Sequence, residues 1–259
     1  MFHFEELKQI PADICVFYKT VDGIKLPLQV FLPEKIEKSH SYPTVIAIHG
    51  GGWNSLKQTP ESWDGGWMAN NVKYYQKKGY VGIVFSYRDF AVCPDGVGGI
   101  LQDCRDAMTY IAKEFSFVNP DEILLMGDSA GGHLALCLAM NLPDNTPCAL
   151  TPKKIAAYNP VTDCVNGIWS YCAKESEPYS PVHHTKKLDA DILLMHGLSD
   201  SVVAIEDSRA FTQTMKEAGN QITMMEIPDA EHAFILFGYT NKEENILEAL
   251  RQTDEHFGL

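Results

Sequence analysis

Short apolar runs alternate with helical patterns along this chain, and few architectures fit such an alternation. The first two runs are joined by Asp22-Gly23, a dipeptide typical of a β-hairpin turn. Most later runs are continuously apolar, as are strands that are buried on both faces of a parallel sheet. The predicted strands are Ile14–Val21, Ile24–Leu32, Thr44–His49, Tyr80–Ser86, Glu122–Gly127, Ile155–Asn159, Ile192–His196 and Gln221–Ile227.

Helical patterns separate most of these runs, which is the order of elements in βαβ units. The predicted helices lie near Met68–Lys78, Gly98–Phe115, Ala130–Asn141, Ile205–Ala218 and Glu243–His256. We therefore predict an α/β fold: a mostly parallel sheet of about eight strands, with an amino-terminal antiparallel hairpin and helices on both faces. Because no repeat, low-complexity tract or linker interrupts the pattern, we expect one domain over residues 1–259.

Two connections are too long to be simple turns. One covers residues 50–71 and the other residues 161–190, and both follow predicted strand ends. Long ordered connections in a domain tend to serve as lids or binding loops. Open α/β sheets bind their ligands at the carboxyl ends of the strands. We therefore expect both connections to lie over an active site.

Composition and charge exclude several classes of function. The 21 basic and 34 acidic residues give a net charge of −13, which would repel nucleic acid and other polyanions. The apolar-leaning stretch from Ser129 to Pro143 is too short and too polar to cross a bilayer. Since no basic segment followed by an apolar one opens the chain, we expect a cytoplasmic protein, or one whose leader has been removed.

The seven cysteines show no CxxC spacing, and several of them lie within apolar runs. Buried free thiols in a reducing compartment are therefore the expected state. A disulfide between Cys164 and Cys172 is the alternative.

One short motif predicts a nucleophile. Residues Gly127–Gly131 read GDSAG, follow an apolar strand and begin a helix. In that context the G-x-S-x-G pattern predicts a tight strand-to-helix turn that exposes a strained serine, Ser129. Backbone N–H groups at the start of the helix can stabilise an anion beside it. Ser129 is the predicted nucleophile, and an ordinary Gly/Ser turn is the alternative.

A second glycine motif follows the third predicted strand, where residues His49–Trp53 read HGGGW. Consecutive glycines let the main chain turn its N–H groups toward one point, which acyl transfer requires when charge develops on the carbonyl oxygen. Gly51 and Gly52, with the N–H of Ala130, are the predicted oxyanion hole. A phosphate-binding loop would be followed by Lys-Ser/Thr, and this motif is not. His49 itself is expected to be structural.

A serine hydroxyl needs a base to take its proton, and the base needs an acid to orient it. His232 lies in a loop between the last strand and the last helix and is the predicted base, whereas His133 is expected to pack within its helix. Asp200 follows the penultimate strand and is the predicted acid. Its rivals are Asp163, after an earlier strand, and Asp207, inside a helical pattern.

Together these motifs resemble the α/β-hydrolase superfamily. Within it, the chain is similar to the HGGG-bearing esterases, which include hormone-sensitive-lipase-like enzymes and small carbohydrate esterases. The matching segments are His49–Trp53, Gly127–Gly132 (GDSAGG), His196–Asp200 and Glu231-His232. The resemblance implies ester hydrolysis through a serine acyl-enzyme, with no cofactor and no metal. It also implies a small-molecule or oligosaccharide ester as the substrate.

The chain departs from relatives that carry a large helical cap, because a hairpin occupies its amino-terminal region. Acyl selection is therefore expected to fall to the two long connections. HGGGW in a short chain is similar to acetylxylan and feruloyl esterases, so acetylated xylan or xylo-oligosaccharide is the expected substrate. Trp53, Trp169 and Tyr171 are the expected sugar or aryl contacts, although such residues could equally anchor the loops. The alternatives are a feruloyl or general short-chain carboxylesterase, an aryl formamidase or amidase, and a non-catalytic binding protein on the same fold.

Overall fold

An eight-stranded sheet forms the centre of the computed structural model, which describes residues 4–37, 40–54, 63–166, 169, 177–239 and 242–259. Its strands are β1 (Ile14–Val21), β2 (Ile24–Phe31), β3 (Tyr42–Ile48), β4 (Val81–Phe85), β5 (Val118–Asp128), β6 (Lys154–Tyr158), β7 (Asp191–Gly197) and β8 (Ile222–Ile227). Their order across the sheet is β1-β2-β4-β3-β5-β6-β7-β8. The β1–β2 and β2–β4 pairs are antiparallel and all the others are parallel. The predicted fold class is confirmed.

Helices connect most of the successive parallel strands. The described α-helices are α1 (Phe4–Lys8), α2 (Ala69–Gln76), α3 (Val97–Glu114), α4 (Ala130–Ala139), α5 (Ile205–Glu217) and α6 (Glu243–Phe257). The five longer helices lie within a few residues of their predicted bounds. Helix α1 was not predicted, because its five residues are too few to show a helical period. In the connection between β6 and β7 the described residues form two short 3₁₀ turns, Glu177–Tyr179 and Pro181–His183.

The sheet is covered on both faces because its central strands contain runs of consecutive apolar residues. In β5, Ile123 and Leu125 face one hydrophobic cluster, whereas Leu124 and Met126 face the other. Successive side chains of a strand point to opposite faces, so a continuous apolar run needs a layer on each side. Helices α3, α4 and α5 contribute to the first cluster, and α2 and α6 contribute to the second.

The parallel strands end at one edge of the sheet, and that edge brings distant segments together. Ile48, at the end of β3, lies opposite Gly127 of β5. Gly197, at the end of β7, lies opposite Ile227 of β8. The residues that follow these four strands are therefore neighbours in space, although the chain separates them widely.

Five of the cysteines that the structure describes are free thiols. Cys93, Cys104, Cys137 and Cys148 are buried, and Cys15 is exposed. Cys172 lies outside the described residues, and so does the alternative pairing that involves it. Among the described helices, none is both long enough and apolar enough to cross a membrane.

Candidate active site

A strained turn between β5 and α4 presents Ser129. The strand ends at Asp128 and the helix begins at Ala130, so Ser129 alone makes the turn, with φ 54° and ψ −119°. Residues other than glycine rarely adopt a positive φ, and such backbone strain persists only where the surrounding structure enforces it. Here the N–H of Ser129 donates to the carbonyl oxygen of Tyr158 in β6 at 2.8 Å.

Two glycines make this turn sterically possible. A Cβ atom on Gly127 would lie 2.3 Å from the carbonyl oxygen of Gly131. A Cβ atom on Gly131 would lie 2.1 Å from the carbonyl oxygen of Ile48, in the neighbouring strand. Both distances are far below van der Waals contact and both involve backbone atoms that cannot move aside. The G-x-S-x-G spacing is therefore a packing requirement of the turn that exposes the serine.

Three predicted residues meet at the carboxyl edge of the sheet. The Oγ of Ser129 lies 2.9 Å from Nε2 of His232, and Nδ1 of His232 lies 2.7 Å from Oδ2 of Asp200. These residues follow β5, β8 and β7, respectively. The geometry allows the imidazole to take the serine proton while the carboxylate stabilises the imidazolium that forms.

The surroundings of Asp200 keep this acid ionised. Burial by itself would raise the pKa of Asp200, but hydrogen bonds from His196, His232 and the N–H of Val203 hold it well below its usual range. A permanent carboxylate only accepts hydrogen bonds, so the hydrogen between it and His232 belongs to Nδ1 of the imidazole. Nε2 is then free of hydrogen in the neutral ring and can accept the hydroxyl of Ser129.

The rival acids have other roles in the structure. The carboxylate of Asp163 accepts the N–H groups of Val165 and Asn166 and so closes its own turn. Asp207 lies in the first turn of α5, where a negative charge suits the helix dipole. Neither residue has a hydrogen bond to His232 among the contacts that the described residues show.

The glycine loop, residues 49–53, follows β3, and side-chain hydrogen-bond donors hold two of its carbonyl groups. The carbonyl oxygen of Gly50 accepts the Tyr87 hydroxyl at 3.2 Å, and that of Gly51 accepts Nδ2 of Asn54 at 3.1 Å. The Gly50–Gly51 and Gly51–Gly52 peptide bonds are trans. In a trans peptide the N–H points in the direction opposite to the carbonyl oxygen, so the N–H groups of Gly51 and Gly52 point away from the side chains that hold these carbonyls. Within the described residues, no backbone oxygen accepts these N–H groups or that of Ala130.

A cavity of about 310 Å³ opens over the serine. Its wall includes both of the predicted oxyanion-hole glycines and an aromatic rim. The lining residues are Gly51, Gly52, Asn54, Trp67, Asp128, Ser129, Trp169, Val202, His232, Ala233 and Tyr239. At the rim, Trp67 is 45% exposed and Tyr239 is 60% exposed, with their ring centroids 6.2 Å apart. The described residues hold no group of three His, Cys, Asp or Glu side chains that could bind a metal ion.

The structure corrects one of the three expected aromatic contacts. Trp53 is 0% exposed and is absent from the cavity wall, because its indole lies behind the glycine loop and donates to Nδ1 of His133 at 3.1 Å. Trp169 does line the cavity, and its indole N–H donates to the carbonyl oxygen of Val202 at 3.1 Å. Tyr171 lies outside the described residues.

Asp128 is a cavity residue that the sequence analysis did not single out. It is 1% exposed, and burial raises the pKa of its carboxyl to about 7. Its Oδ1 atom has no hydrogen-bond partner among the described residues. Burial favours the neutral form of a carboxyl over the ionised form, which is the cause of the raised pKa. Only its position, directly before the serine of the motif, could have indicated it.

We expect Asp128→Asn to change how stability depends on pH. Between about pH 4 and pH 7 the unfolded chain releases this proton while the folded chain keeps it, so the wild type loses stability as pH rises, by about 1.4 kcal/mol per pH unit. The amide cannot ionise, so the variant escapes that loss. Urea unfolding of both proteins measures this effect. The free energy of unfolding of the variant, relative to that of the wild type, should rise with pH up to about pH 7 and stay constant above it. A difference that is constant throughout would contradict a raised pKa.

Two family models match the chain, each over more than half of its length. A model described as BD-FAE matches residues 28–161, and one described as the prolyl oligopeptidase family matches residues 97–258. The thermophilic esterase Est2 of the Planctomycetes species Thermogutta terrifontis superimposes with a TM-score of 0.82 and 25% identity, over 95% of this chain and 92% of that one. The chain belongs to the α/β-hydrolase esterase family. Est2 has also been solved phosphorylated by paraoxon.

Curated relatives of this α/β-hydrolase are much longer proteins. Acylamino-acid-releasing enzyme 2 of rice (Oryza sativa subsp. japonica) is 27% identical over 241 residues, which cover 82% of this chain and 30% of that enzyme. A non-reducing polyketide synthase of Stereocaulon alpinum is 31% identical over 137 residues, which cover 49% of this chain and 5% of the synthase. The α/β-hydrolase unit thus spans less than a third of either relative.

Proposed function

We propose that this α/β-hydrolase is a serine esterase that hydrolyses short-chain acyl esters through an acyl-enzyme. The observation that carries the proposal is the unbroken hydrogen-bonded series from Ser129 through His232 to Asp200, at the floor of an open cavity. The membership of the esterase family and the likeness to Est2 support it.

The mechanism is a double displacement. His232 takes the proton of Ser129 as the hydroxyl oxygen attacks the ester carbonyl, and the electron pair of the C=O bond moves to the oxygen. The N–H groups of Gly51, Gly52 and Ala130 stabilise that oxyanion. The tetrahedral intermediate collapses, and His232 protonates the departing alcohol. Water then attacks the acyl-enzyme by the same route, releasing the acid and restoring the serine.

The proposed substrate is an acetylated carbohydrate, such as acetylated xylan or a xylo-oligosaccharide. A small cavity leaves room for a short acyl group at the serine. The exposed faces of Trp67 and Tyr239 at its rim offer an aromatic surface on which a sugar ring can lie. This pair takes the role expected of Trp53, which is buried.

The test is acetate release from acetylated xylo-oligosaccharides, relative to turnover of 4-nitrophenyl acetate, with Ser129→Ala as the blank. We expect serine-dependent release. Trp67→Ala should raise KM for the oligosaccharide about three- to tenfold, the range that an aromatic contact supplies, and leave KM for the nitrophenyl ester nearly unchanged. Trp67→Phe keeps an aromatic face and is the matched control.

The two readouts separate the parts of the proposal. Cleavage of the nitrophenyl ester without acetate release would keep the esterase and discard the carbohydrate substrate, leaving a feruloyl or general short-chain carboxylesterase. Equal effects of Trp67→Ala on both substrates would show that Trp67 supports the adjacent glycine loop, against which its ring packs, and binds no sugar.

Amide hydrolysis is the second candidate function. The match to the prolyl oligopeptidase family and the similarity to an acylamino-acid-releasing enzyme favour it. An arylformamide and a peptide 4-nitroanilide, assayed beside the nitrophenyl ester, would decide between the two. Turnover of an amide that exceeds turnover of the ester would replace esterase by amidase. The same triad would serve both reactions, because both pass through an oxyanion and an acyl-enzyme.

A further inference from the structure

Buried side chains that take no part in proton transfer hold the glycine loop at its first residues. The ring of Tyr87, just after β4, is 0% exposed and stacks on the imidazole of His49, with centroids 4.3 Å apart and planes 12° apart. Its hydroxyl hydrogen is shared between the carbonyl oxygens of His49, at 2.8 Å, and Gly50, at 3.2 Å. Burial raises the pKa of Tyr87 well above its usual value, so the phenol keeps this hydrogen.

A peptide unit is planar, so a hydrogen bond that holds its carbonyl oxygen also fixes the direction of its N–H. The Gly50 carbonyl also accepts Nδ1 of His49 at 2.8 Å, so two buried donors converge on it. Its peptide partner is the N–H of Gly51, which must point the opposite way because the bond is trans. Glycines resist rotation weakly, so such external donors are what set the direction of this N–H.

The last residue of the loop is held by a second anchor. Trp53 has φ 57°, and its carbonyl oxygen accepts the N–H of Phe90 at 2.9 Å. Its buried indole N–H donates to Nδ1 of His133 at 3.1 Å. Since an indole only donates, Nδ1 carries no hydrogen, and the neutral ring has its hydrogen on Nε2. That nitrogen donates to the carbonyl oxygen of Tyr179 at 2.6 Å.

His133 lies one helical turn after Ser129 on α4, so it ties the loop to the helix that presents the nucleophile. Burial lowers the pKa of His133 to about 4, which keeps the ring neutral and its Nδ1 able to accept. The loop and the serine are thus both held by α4, which fixes the distance between them.

We propose that Tyr87 and His133 are positioning residues that fix the two ends of the glycine loop, and thereby the oxyanion hole. The inference rests on the proposed esterase function. An oxyanion donor acts only if it is aimed where charge develops, and displacements of about 1 Å cost rate steeply. Neither side chain lines the cavity, so loss of either should lower kcat and leave KM nearly unchanged.

The first test is Tyr87→Phe, which removes one oxygen atom and keeps the ring. We expect kcat for 4-nitrophenyl acetate to fall about tenfold or more, part of the loss that follows removal of a whole oxyanion donor. Tyr74→Phe is the matched control, because the Tyr74 hydroxyl also donates a hydrogen bond, to Oδ2 of Asp254 at 2.7 Å, and joins α2 to α6 outside the loop. Equal kcat values in the two variants would overturn the proposal for Tyr87.

The second test compares His133→Leu with His133→Gln. Leucine removes both hydrogen bonds, whereas glutamine can still accept from Trp53 and donate, so kcat should fall in the first variant and recover in the second. A short-chain trifluoromethyl ketone supplies a further readout, because Ser129 adds to its carbonyl, gives its proton to His232 and leaves an oxyanion in the hole. Its inhibition constant should rise with the loss of kcat, while KM for 4-nitrophenyl acetate stays nearly constant.

Each outcome separates this inference from the function on which it rests. A wild-type protein without ester turnover would refute the esterase. An active wild type whose Tyr87→Phe and His133→Leu variants show equal rises in the inhibition constant of the ketone and in KM for the ester would refute positioning, because only a general loss of structure acts in that way. If His133→Leu does not fold, the volume-conserving Tyr87→Phe still decides the proposal for Tyr87.

Discussion

Ser129→Ala should reduce ester hydrolysis by about 10⁴- to 10⁶-fold, to the level that binding and the oxyanion hole alone support. The Oγ atom is the group that forms the acyl-enzyme, and alanine offers no atom to replace it. Steady-state turnover of 4-nitrophenyl acetate measures the loss. Alanine adopts the same strained backbone angles as serine, so the melting temperature should stay close to that of the wild type.

Covalent labelling tests the same assignment without turnover. Paraoxon phosphorylates an activated serine by displacing 4-nitrophenolate, so the wild type should release one equivalent and gain one diethylphosphoryl group on the peptide that contains Ser129. The Ser129→Ala protein should gain none. Ser201→Ala, which removes an exposed serine beside the acid, should react like the wild type. Full activity in the Ser129→Ala protein, or a label elsewhere, would refute the assignment.

The architecture could be predicted because its signals are local. A buried parallel strand is apolar at consecutive positions, so β3 to β7 are visible as runs in the sequence. Strand β8 was predicted as a further run of this kind, although its burial is mixed. The order in which the strands pair was not predicted. It depends on contacts between segments far apart in the chain.

The proposed triad could be predicted for a different reason. Each member follows a strand, and parallel strands end at one edge of the sheet. Assigning the strands from local patterns is therefore enough to predict that Ser129, Asp200 and His232 lie close together. The choice of Asp200 over Asp163 was also made from strand position, and the structure gives only the former a hydrogen bond to the imidazole among the described contacts.

Side-chain burial is where sequence reasoning failed. Trp53 and Trp67 lie in the same long connection, and nothing local shows which of them faces the cavity. The partner that buries Trp53 is His133, 80 residues away, whereas Trp67 remains exposed beside Tyr239, which lies after the last strand. The same holds for Tyr87, whose hydroxyl meets a carbonyl 38 residues away. Such pairings depend on how helices and loops pack on the sheet, and no periodic pattern in the sequence predicts them.

Asp200→Asn should lower kcat for the nitrophenyl ester by about 10³- to 10⁴-fold, with little change in KM. The amide nitrogen can donate to Nδ1 of His232, which favours the tautomer with hydrogen on Nε2, and that nitrogen then cannot accept the hydroxyl of Ser129. The uncharged amide also fails to stabilise the imidazolium that forms as the serine attacks. Both effects act on the chemical step, so substrate binding is preserved.

Asp163→Asn is the matched control, because it neutralises a rival acid in another loop that also follows a strand. Its carboxylate closes a turn through the N–H groups of Val165 and Asn166, so the substitution should cost some stability and no more than a few-fold in kcat. Comparable kcat losses in the two variants would mean that the acid is not Asp200 alone. A large loss confined to Asp163→Asn would move the acid to the earlier strand, and the hydrogen bond between Asp200 and His232 would then have only a structural role.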